Sequence, residues 1–408
     1  MVSNGIADHR EPTVSAVERP VDRIKNSMIP VGAAQSKTCH VFVRSGRLHI
    51  ASNSAGIWMI AALLLLVGCA PATDEEVRLA GIGTPRAAPE PKPPPHFAAA
   101  SFIAADGQAL PLRKWLPQSA DKGAVKAVIL ALHGFNDYAN AFDGPGDIWA
   151  KEGIATYAYD QRGFGAAPER GFWPGRAALA ADVATGAQVL RRMYPGTPLY
   201  LLGESMGGAV AMVALTGESG TPVPDVDGVV LTAPAVWGRP TMDLLPRLAL
   251  WVGVRLMPAL TLTGRGLKIK ASDNIAMLRA LAQDPMVIHA TRIDTIYGLV
   301  DLMDAALASG AQLDTPLFLM YGAKDQIIPR APIRLFVDTL PAEPMRRRRL
   351  AWYENGYHML LRDLEGPLVI ADVASWVLAP SAPLPSGADR AAGEAFLRAG
   401  SRVTVAGR

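Results

Sequence analysis

Apolar residues follow two alternating rhythms along this chain. One is a set of short, nearly continuous apolar runs: Ala127–Leu132, Ile154–Tyr159, 198–202, Gly228–Thr232, 316–321 and 349–353. Runs this short, bounded by Gly, Pro, Asp or Asn, read as strands buried on both faces. The other rhythm has helical period. Arg176–Met193 carries it until Pro195-Gly196 stops it, and 367–378 repeats it with Leu368, Ile370, Val373 and Trp376 on one side. Pro367 is tolerated there because a first-turn N–H has no intrahelical partner to lose. Strand and helix in alternation predict an α/β fold: a mostly parallel sheet flanked by helices on both faces. Residues 97–116 instead suit an antiparallel opening hairpin turning at Asp106-Gly107.

Between 237 and 314 the strand rhythm stops, over a length too great for an ordinary connection. Leu244, Leu245, Leu248, Trp251, Val252, Leu256, Met257 and Leu260 form an apolar helical stripe. Ile275, Met277, Leu278 and Leu281 predict a second helix, and 296–307 a third. The segment reads as a helical cap insertion. No period of tens of residues is visible, which excludes a repeat architecture.

Candidate chemistry enters at Gly203-Glu204-Ser205-Met206-Gly207, which follows the 198–202 run and leads into a helical stretch. Strand, Gly-flanked turn and helix with a serine at the apex form a nucleophile elbow. The helix N-terminus beneath Ser205 favours developing negative charge. Gly217-Glu-Ser219-Gly220 has a similar composition but follows no strand, and reads as a helix-ending loop. Hydrolases with such an elbow run nucleophile, acid, histidine along the chain. Asp325 lies in the loop just past the 316–321 strand, and His358 is the only histidine after it. Asp301 and Asp304 fall in a helical pattern and Asp314 precedes its strand, so Asp325 is the better acid. In these roles His358 takes the proton from Ser205, while Asp325 fixes its tautomer and stabilises the imidazolium. The oxyanion hole needs backbone N–H groups. Met206 follows the nucleophile, and Phe135 follows Gly134 in the loop after Ala127–Leu132; these are the candidate donors. His133, just before Gly134, reads as shaping that loop rather than as a second base.

Together these motifs resemble the monoacylglycerol lipase/lysophospholipase branch of the serine α/β-hydrolases, the serine aminopeptidase-like family. The matching segments are His133-Gly-Phe-Asn-Asp137, Asp160-Gln-Arg-Gly-Phe-Gly165, Gly203-Glu-Ser-Met-Gly-Gly208, Asp284-Pro285, Gly322-Ala-Lys-Asp325 and Asn355-Gly-Tyr-His358. The likeness spans about residues 97–380 and departs from the better-known lipases mainly between Trp237 and Asp314. It implies Ser205, Asp325 and His358 as the triad, Phe135 and Met206 as oxyanion donors, and a structural turn at Asp160 and Arg162. It also implies hydrolysis rather than acyl transfer. Most of the cap stripe is expected to pack, with Trp251 and Met257 expected to face an acyl group.

The first part of the chain concerns address. The apolar run 57–67 is short for a membrane span but has the length of a signal-peptide core, with Arg44 and Arg47 as its positive flank. It ends in Leu66-Val67-Gly68-Cys69, which looks like a bacterial lipoprotein lipobox, so Cys69 is the candidate for lipidation. A core this far from Met1 suggests a long leader or an overlong start. Residues 1–68 are expected as leader, 69–96 as a Pro-rich tether, 97–380 as the hydrolase domain and 381–408 as a flexible tail, with a short helix possible near 391–397. Ala70 after the cysteine resembles lipoproteins sent to the outer membrane, which would leave the hydrolase domain periplasmic.

Charge changes the picture only once divided. Residues 1–68 hold seven Lys/Arg against four Asp/Glu, which accounts for the whole net charge of +3. The remainder is neutral, so nucleic acid is not an expected partner. Cys39 and Cys69 are the only cysteines, and neither lies in the hydrolase region, so no disulfide is expected there. CxxC and HExxH patterns are absent, and neither a metal nor a cofactor is expected. The expected activity is serine ester hydrolysis of a lipid or small apolar ester through an acyl-enzyme. Alternatives are a lipid-anchored binding protein that lost catalysis, or a thioesterase, acyltransferase or peptidase using the same triad.

Overall fold

The computed structural model describes residues 93–118, 125–217, 220–264, 266, 268–341, 348–390 and 392–398. All of these lie in one compact unit, Ala88–Arg408. The leader, Cys69 and most of the tether fall outside the described residues.

The opening strands are β1 (His96–Phe97), β2 (Ser101–Ile103) and β3 (Ala109–Trp115), with Gly107 at a φ of +84° in the turn between β2 and β3. Next come β4 (Ala127–Leu132), α1 (Asp143–Lys151), β5 (Ile154–Tyr159) and α2 (Arg176–Met193). The strand β6 (Leu199–Glu204) leads directly to α3 (Met206–Thr216), and β7 (Gly228–Thr232) follows. The cap holds α4 (Leu244–Leu256), β8 (Thr261–Leu262), α5 (Ile275–Gln283), β9 (Thr291–Arg292) and α6 (Ile293–Ser309). Last are β10 (Leu317–Gly322), α7 (Arg330–Thr339), β11 (Arg348–Tyr353), α8 (Gly366–Leu378) and α9 (Ala392–Arg398).

The main sheet runs β1-β2-β3-β5-β4-β6-β7-β10-β11. The first three pairings are antiparallel, and every pairing from β5 to β11 is parallel. Parallel strands need helices on both faces, and the period-two alternation of side chains supplies the two cores. Val128, Leu130 and Leu132 of β4 point into a core shared with α2, α3 and α6, whereas Ala127, Ile129 and Ala131 point into the opposite one. There Trp149 of α1 meets Val373 and Trp376 of α8, and its indole N–H donates to Ile370 O at 3.0 Å. Each fully buried Val, Leu or Ile in these layers contributes about 1.5–3 kcal/mol relative to exposure.

Two expectations need correction. The cap is not purely helical, because β8 and β9 pair antiparallel between its helices. Of the expected 381–408 tail, the described residues 381–390 and 392–398 are not loose. Phe396 is buried against Trp352, with ring centroids 5.3 Å apart, and also meets Tyr321. Trp352 N–H donates to Ala388 O at 3.0 Å, and Ser386 N–H to Asp372 Oδ1 at 2.9 Å. The small residues of this stretch mask a few well-spaced anchors, Leu384, Ala392 and Phe396, which carry the packing.

Candidate active site

The serine sits where β6 gives way to α3. Ser205 has φ +53° and ψ −113°, a conformation unfavourable for a residue with a side chain and held by its surroundings. Its N–H donates to Thr232 O at 3.0 Å, and its carbonyl accepts from the N–H groups of Gly208, Ala209 and Ala235. Close approach requires the flanking glycines: a Cβ on Gly203 would come within 2.4 Å of Gly208 N, and one on Gly207 within 2.1 Å of Leu132 O.

The loop after β4 lies against this turn. A Cβ on Gly134 would stand 3.6 Å from Ser205 Cβ, so the chain passes directly over the serine. Neither Phe135 N–H nor Met206 N–H has an acceptor among the described residues, which leaves both free to bind an oxyanion. His133 is fully buried; its Nδ1 bonds Gly134 O at 2.9 Å and its Nε2 accepts from Gln161 N–H at 2.9 Å. Burial lowers its pKa, so the imidazole stays neutral and acts as a brace for the loop. The turn at Asp160 is likewise structural: its carboxylate accepts from Ala139 and Ala166 N–H, while Arg162 pairs with Asp106 and Asp182. The Arg162 hydrogen bond holds Asp106 at about 2.

Asp325 and His358 meet as the order of residues implied. His358 Nδ1 lies 2.8 Å from Asp325 Oδ2, and the Asp325 side chain is completely buried. Its other oxygen accepts from Ile327 N–H at 2.7 Å and Ile328 N–H at 3.0 Å. A carboxylate satisfied this way orients Nδ1–H toward itself and leaves Nε2 for the cavity. The rivals Asp301 and Asp304 are occupied in α6 by Arg239. His289 is exposed on the cap surface, its Nε2 3.1 Å from Asp284 O.

Ser205 and His358 line one cavity of about 410 Å³. Its apolar wall comes from Trp237, Met242, Ile296, Leu299, Val300 and Met303, not from Trp251 and Met257 as expected. Those two are 51 % and 52 % exposed. Helix α4 turns that side of its stripe outward, and α6 roofs the cavity instead. Trp251 lines a neighbouring apolar cavity of about 340 Å³, with Arg255 stacked over its ring. Apolar periodicity identified both helices but not which of them faces the serine.

The polar end of the cavity was not singled out from sequence. Asp137, Glu204 and Arg362 line it, and Arg362 Nη2 reaches Asp137 Oδ2 at 2.7 Å and Glu204 Oε1 at 3.0 Å. Burial opposes the Arg362 charge, but the two carboxylates outweigh it and raise its pKa. Beside it Asp363 accepts from Ser272 Oγ at 2.6 Å and Tyr357 N–H at 2.7 Å. Burial nevertheless pushes Asp363 up to about 6. The available signal was position: Glu204 directly precedes the elbow serine, and Arg362 lies four residues past His358. Among the described residues no cluster of His, Cys, Asp or Glu could hold a metal ion.

The chain is 27% identical to a monoacylglycerol lipase of Mycolicibacterium smegmatis over 281 residues, covering 68% of this chain and 96% of the relative. It is 26% identical to a monoglyceride lipase of Rattus norvegicus over 282 residues, covering 68% and 89%. The fold matches the crystal structure of a Paleococcus ferrophilus monoacylglycerol lipase with a TM-score of 0.55 at 20% identity, covering 67% of this chain and 99% of that one. A soluble variant of the Saccharomyces cerevisiae monoglyceride lipase matches equally, with a TM-score of 0.55 at 20% identity over 70% and 98%. The family model described as serine aminopeptidase, S33 (Hydrolase_4) matches residues 123–365. With its elbow serine and Asp–His pair on a mostly parallel, helix-flanked sheet, the chain belongs to the serine aminopeptidase S33 family and is a lipase-like serine hydrolase.

Proposed function

We propose that the protein hydrolyses monoacylglycerol-like lipid esters, with Ser205, Asp325 and His358 as its triad. The observation that carries this reading is the cavity in which a strained elbow serine and an Asp-paired histidine meet an apolar wall. Ser205 Oγ attacks the ester carbonyl as His358 Nε2 takes its proton. Phe135 and Met206 N–H bind the oxyanion that forms. The imidazolium, stabilised by Asp325, then gives its proton to the leaving alcohol. Water activated by the same histidine attacks the acyl-enzyme, releasing the fatty acid and returning the proton to Ser205. Trp237, Ile296, Leu299 and Met303 receive the acyl chain, and Asp137, Glu204 and Arg362 stand at the polar end. Relatives named as monoacylglycerol and monoglyceride lipases support the substrate class.

The test is a turnover panel of monoacylglycerol, lysophospholipid and p-nitrophenyl esters of graded length, in water and with glycerol as a competing acceptor. Preference for monoacylglycerol with free fatty acid as product is expected. Exclusive acyl transfer to glycerol, or no ester turnover at all, contradicts the reading. Lipidation at Cys69 belongs to the same proposal, with the domain held at the envelope, outer membrane favoured. Two or more buried chains suffice for stable anchoring. Cys69→Ser should block incorporation of labelled fatty acid, whereas a soluble, unlipidated wild-type protein would refute the anchor alone.

A further inference from the structure

We propose that Arg362 is a positioning residue for the reaction: one guanidinium that fixes the relative placement of the oxyanion loop, the elbow and the histidine loop. The inference rests on the assignment of Ser205 and His358 above.

Each partner of Arg362 belongs to a different part of the machinery. Asp137 lies two residues past Phe135 in the loop after β4, and Glu204 is the last residue of β6, bonded covalently to Ser205. Arg362 ends the short 3-10 turn Leu360–Arg362 that follows His358. Its Nη2 holds Asp137 Oδ2 at 2.7 Å and Glu204 Oε1 at 3.0 Å, so a single nitrogen ties all three loops. The turn is anchored in its own right: Arg362 O accepts from Asn274 Nδ2 at 3.1 Å, and Asn274 caps α5 of the cap. Movement of any one loop must therefore strain a charged contact to the others.

Stability alone does not account for this cluster. Two carboxylates share one cation in a nearly water-free wall, with side chains 6 %, 2 % and 11 % exposed for Asp137, Glu204 and Arg362. Asp137 Oδ2, Glu204 Oε2 and Arg362 Nε have no hydrogen-bond partner among the described residues, so Arg362 holds Asp137 as an ion pair and Glu204 by an aligned hydrogen bond. An apolar cluster of the same volume is often as stable as such a buried ionic group or more so. What the ionic group adds is directional geometry, which catalysis needs to within about 0.5 Å. A misplacement of about 1 Å costs on the order of 10²-fold in rate.

The experiment compares Arg362→Gln, Arg362→Lys and Glu204→Gln with wild type on p-nitrophenyl butyrate, with thermal melting to establish that each is folded. Arg362→Gln should lower kcat about 10²-fold with KM changed less than about threefold, the mark of lost alignment rather than lost binding. Arg362→Lys should recover about tenfold of that loss, since it restores charge but not the planar fork. Should Arg362→Gln fail to fold, Arg362→Lys and Glu204→Gln decide the matter, each expected at least about fivefold below wild type in kcat. Folded variants with wild-type kcat, or a loss confined to KM, would overturn the proposal. Ser205→Ala runs in parallel. If it is inactive while the Arg362 variants are normal, only the positioning role fails, and if it is active both readings fail.

Discussion

Gly207 provides a severe test of how the elbow is built. A methyl group there would come within 2.1 Å of Leu132 O, 2.5 Å of Leu132 C and 2.8 Å of Leu132 Cβ. Ordinary carbon contacts lie at about 3.5–4.0 Å, so α3 must retreat by more than about 1 Å from the end of β4. The obstacle is backbone, with no side chain that can swing aside. Nor can α3 move freely, because Ser205 O accepts from Gly208, Ala209 and Ala235 together. Overpacking of this kind costs about 1–3 kcal/mol, and with a rigid obstacle Gly207→Ala should fall at about 3 kcal/mol. The same displacement shifts Ser205 against the Gly134 loop and should lower ester turnover by about 10²-fold. Gly393→Ala is the control: a Cβ there meets nothing within 4 Å, and it lies in α9. Removing the conformational freedom of glycine in a helix should leave Gly393→Ala neutral or up to about 1 kcal/mol more stable. Urea denaturation with a constant slope measures both variants, and ester turnover reads the site. A Gly207→Ala protein with wild-type midpoint and turnover would refute the close approach of α3 to β4.

Three other outcomes follow from particular contacts. Phe396→Ala removes a buried ring from Trp352 and Tyr321 and should cost about 3–5 kcal/mol in urea denaturation, whereas an unchanged midpoint would restore the loose tail. Met303→Trp should shift the chain-length optimum of p-nitrophenyl esters to shorter acyl groups, about fourfold per methylene lost, and Met257→Ala should leave it in place. The reverse pattern would put α4 rather than α6 over the serine. Burial pushes the Asp363 carboxyl up to about 6 from its ordinary value of 3.8, so between those values the folded state binds the extra proton. Its contribution to stability must then fall as pH rises from about 4 to 6. Wild type measured against Asp363→Asn should show that downward slope, and a flat or rising difference would contradict it.

Much of this architecture was legible because burial on both faces leaves a plain signature. Ala127–Leu132, Ile154–Tyr159 and Gly228–Thr232 are strands at the bounds their apolar runs imply. The meeting of Asp325 with His358 was legible for a related reason: in a parallel sheet the loops past the strand ends converge, so order along the chain implies meeting in space. Three things were hidden. Helix α4 is amphipathic, but periodicity cannot tell an outward apolar face from an inward one, and Trp251 and Met257 face out. The stretch 381–398 lacked the density of apolar residues that announces a core, although Leu384, Ala392 and Phe396 suffice for one. The Asp137–Glu204–Arg362 cluster joins three distant segments through charges that, in sequence, look like solvated loop residues.

The central claim is that Ser205 is the nucleophile activated by the Asp325–His358 pair. Mass spectrometry of the protein after treatment with a fluorophosphonate tests it most directly. The account predicts one adduct, mapped to the peptide containing Ser205, abolished by Ser205→Ala together with ester turnover and slowed by orders of magnitude in His358→Ala. An adduct on any other residue, or a Ser205→Ala protein that turns over ester at the wild-type rate, would contradict it.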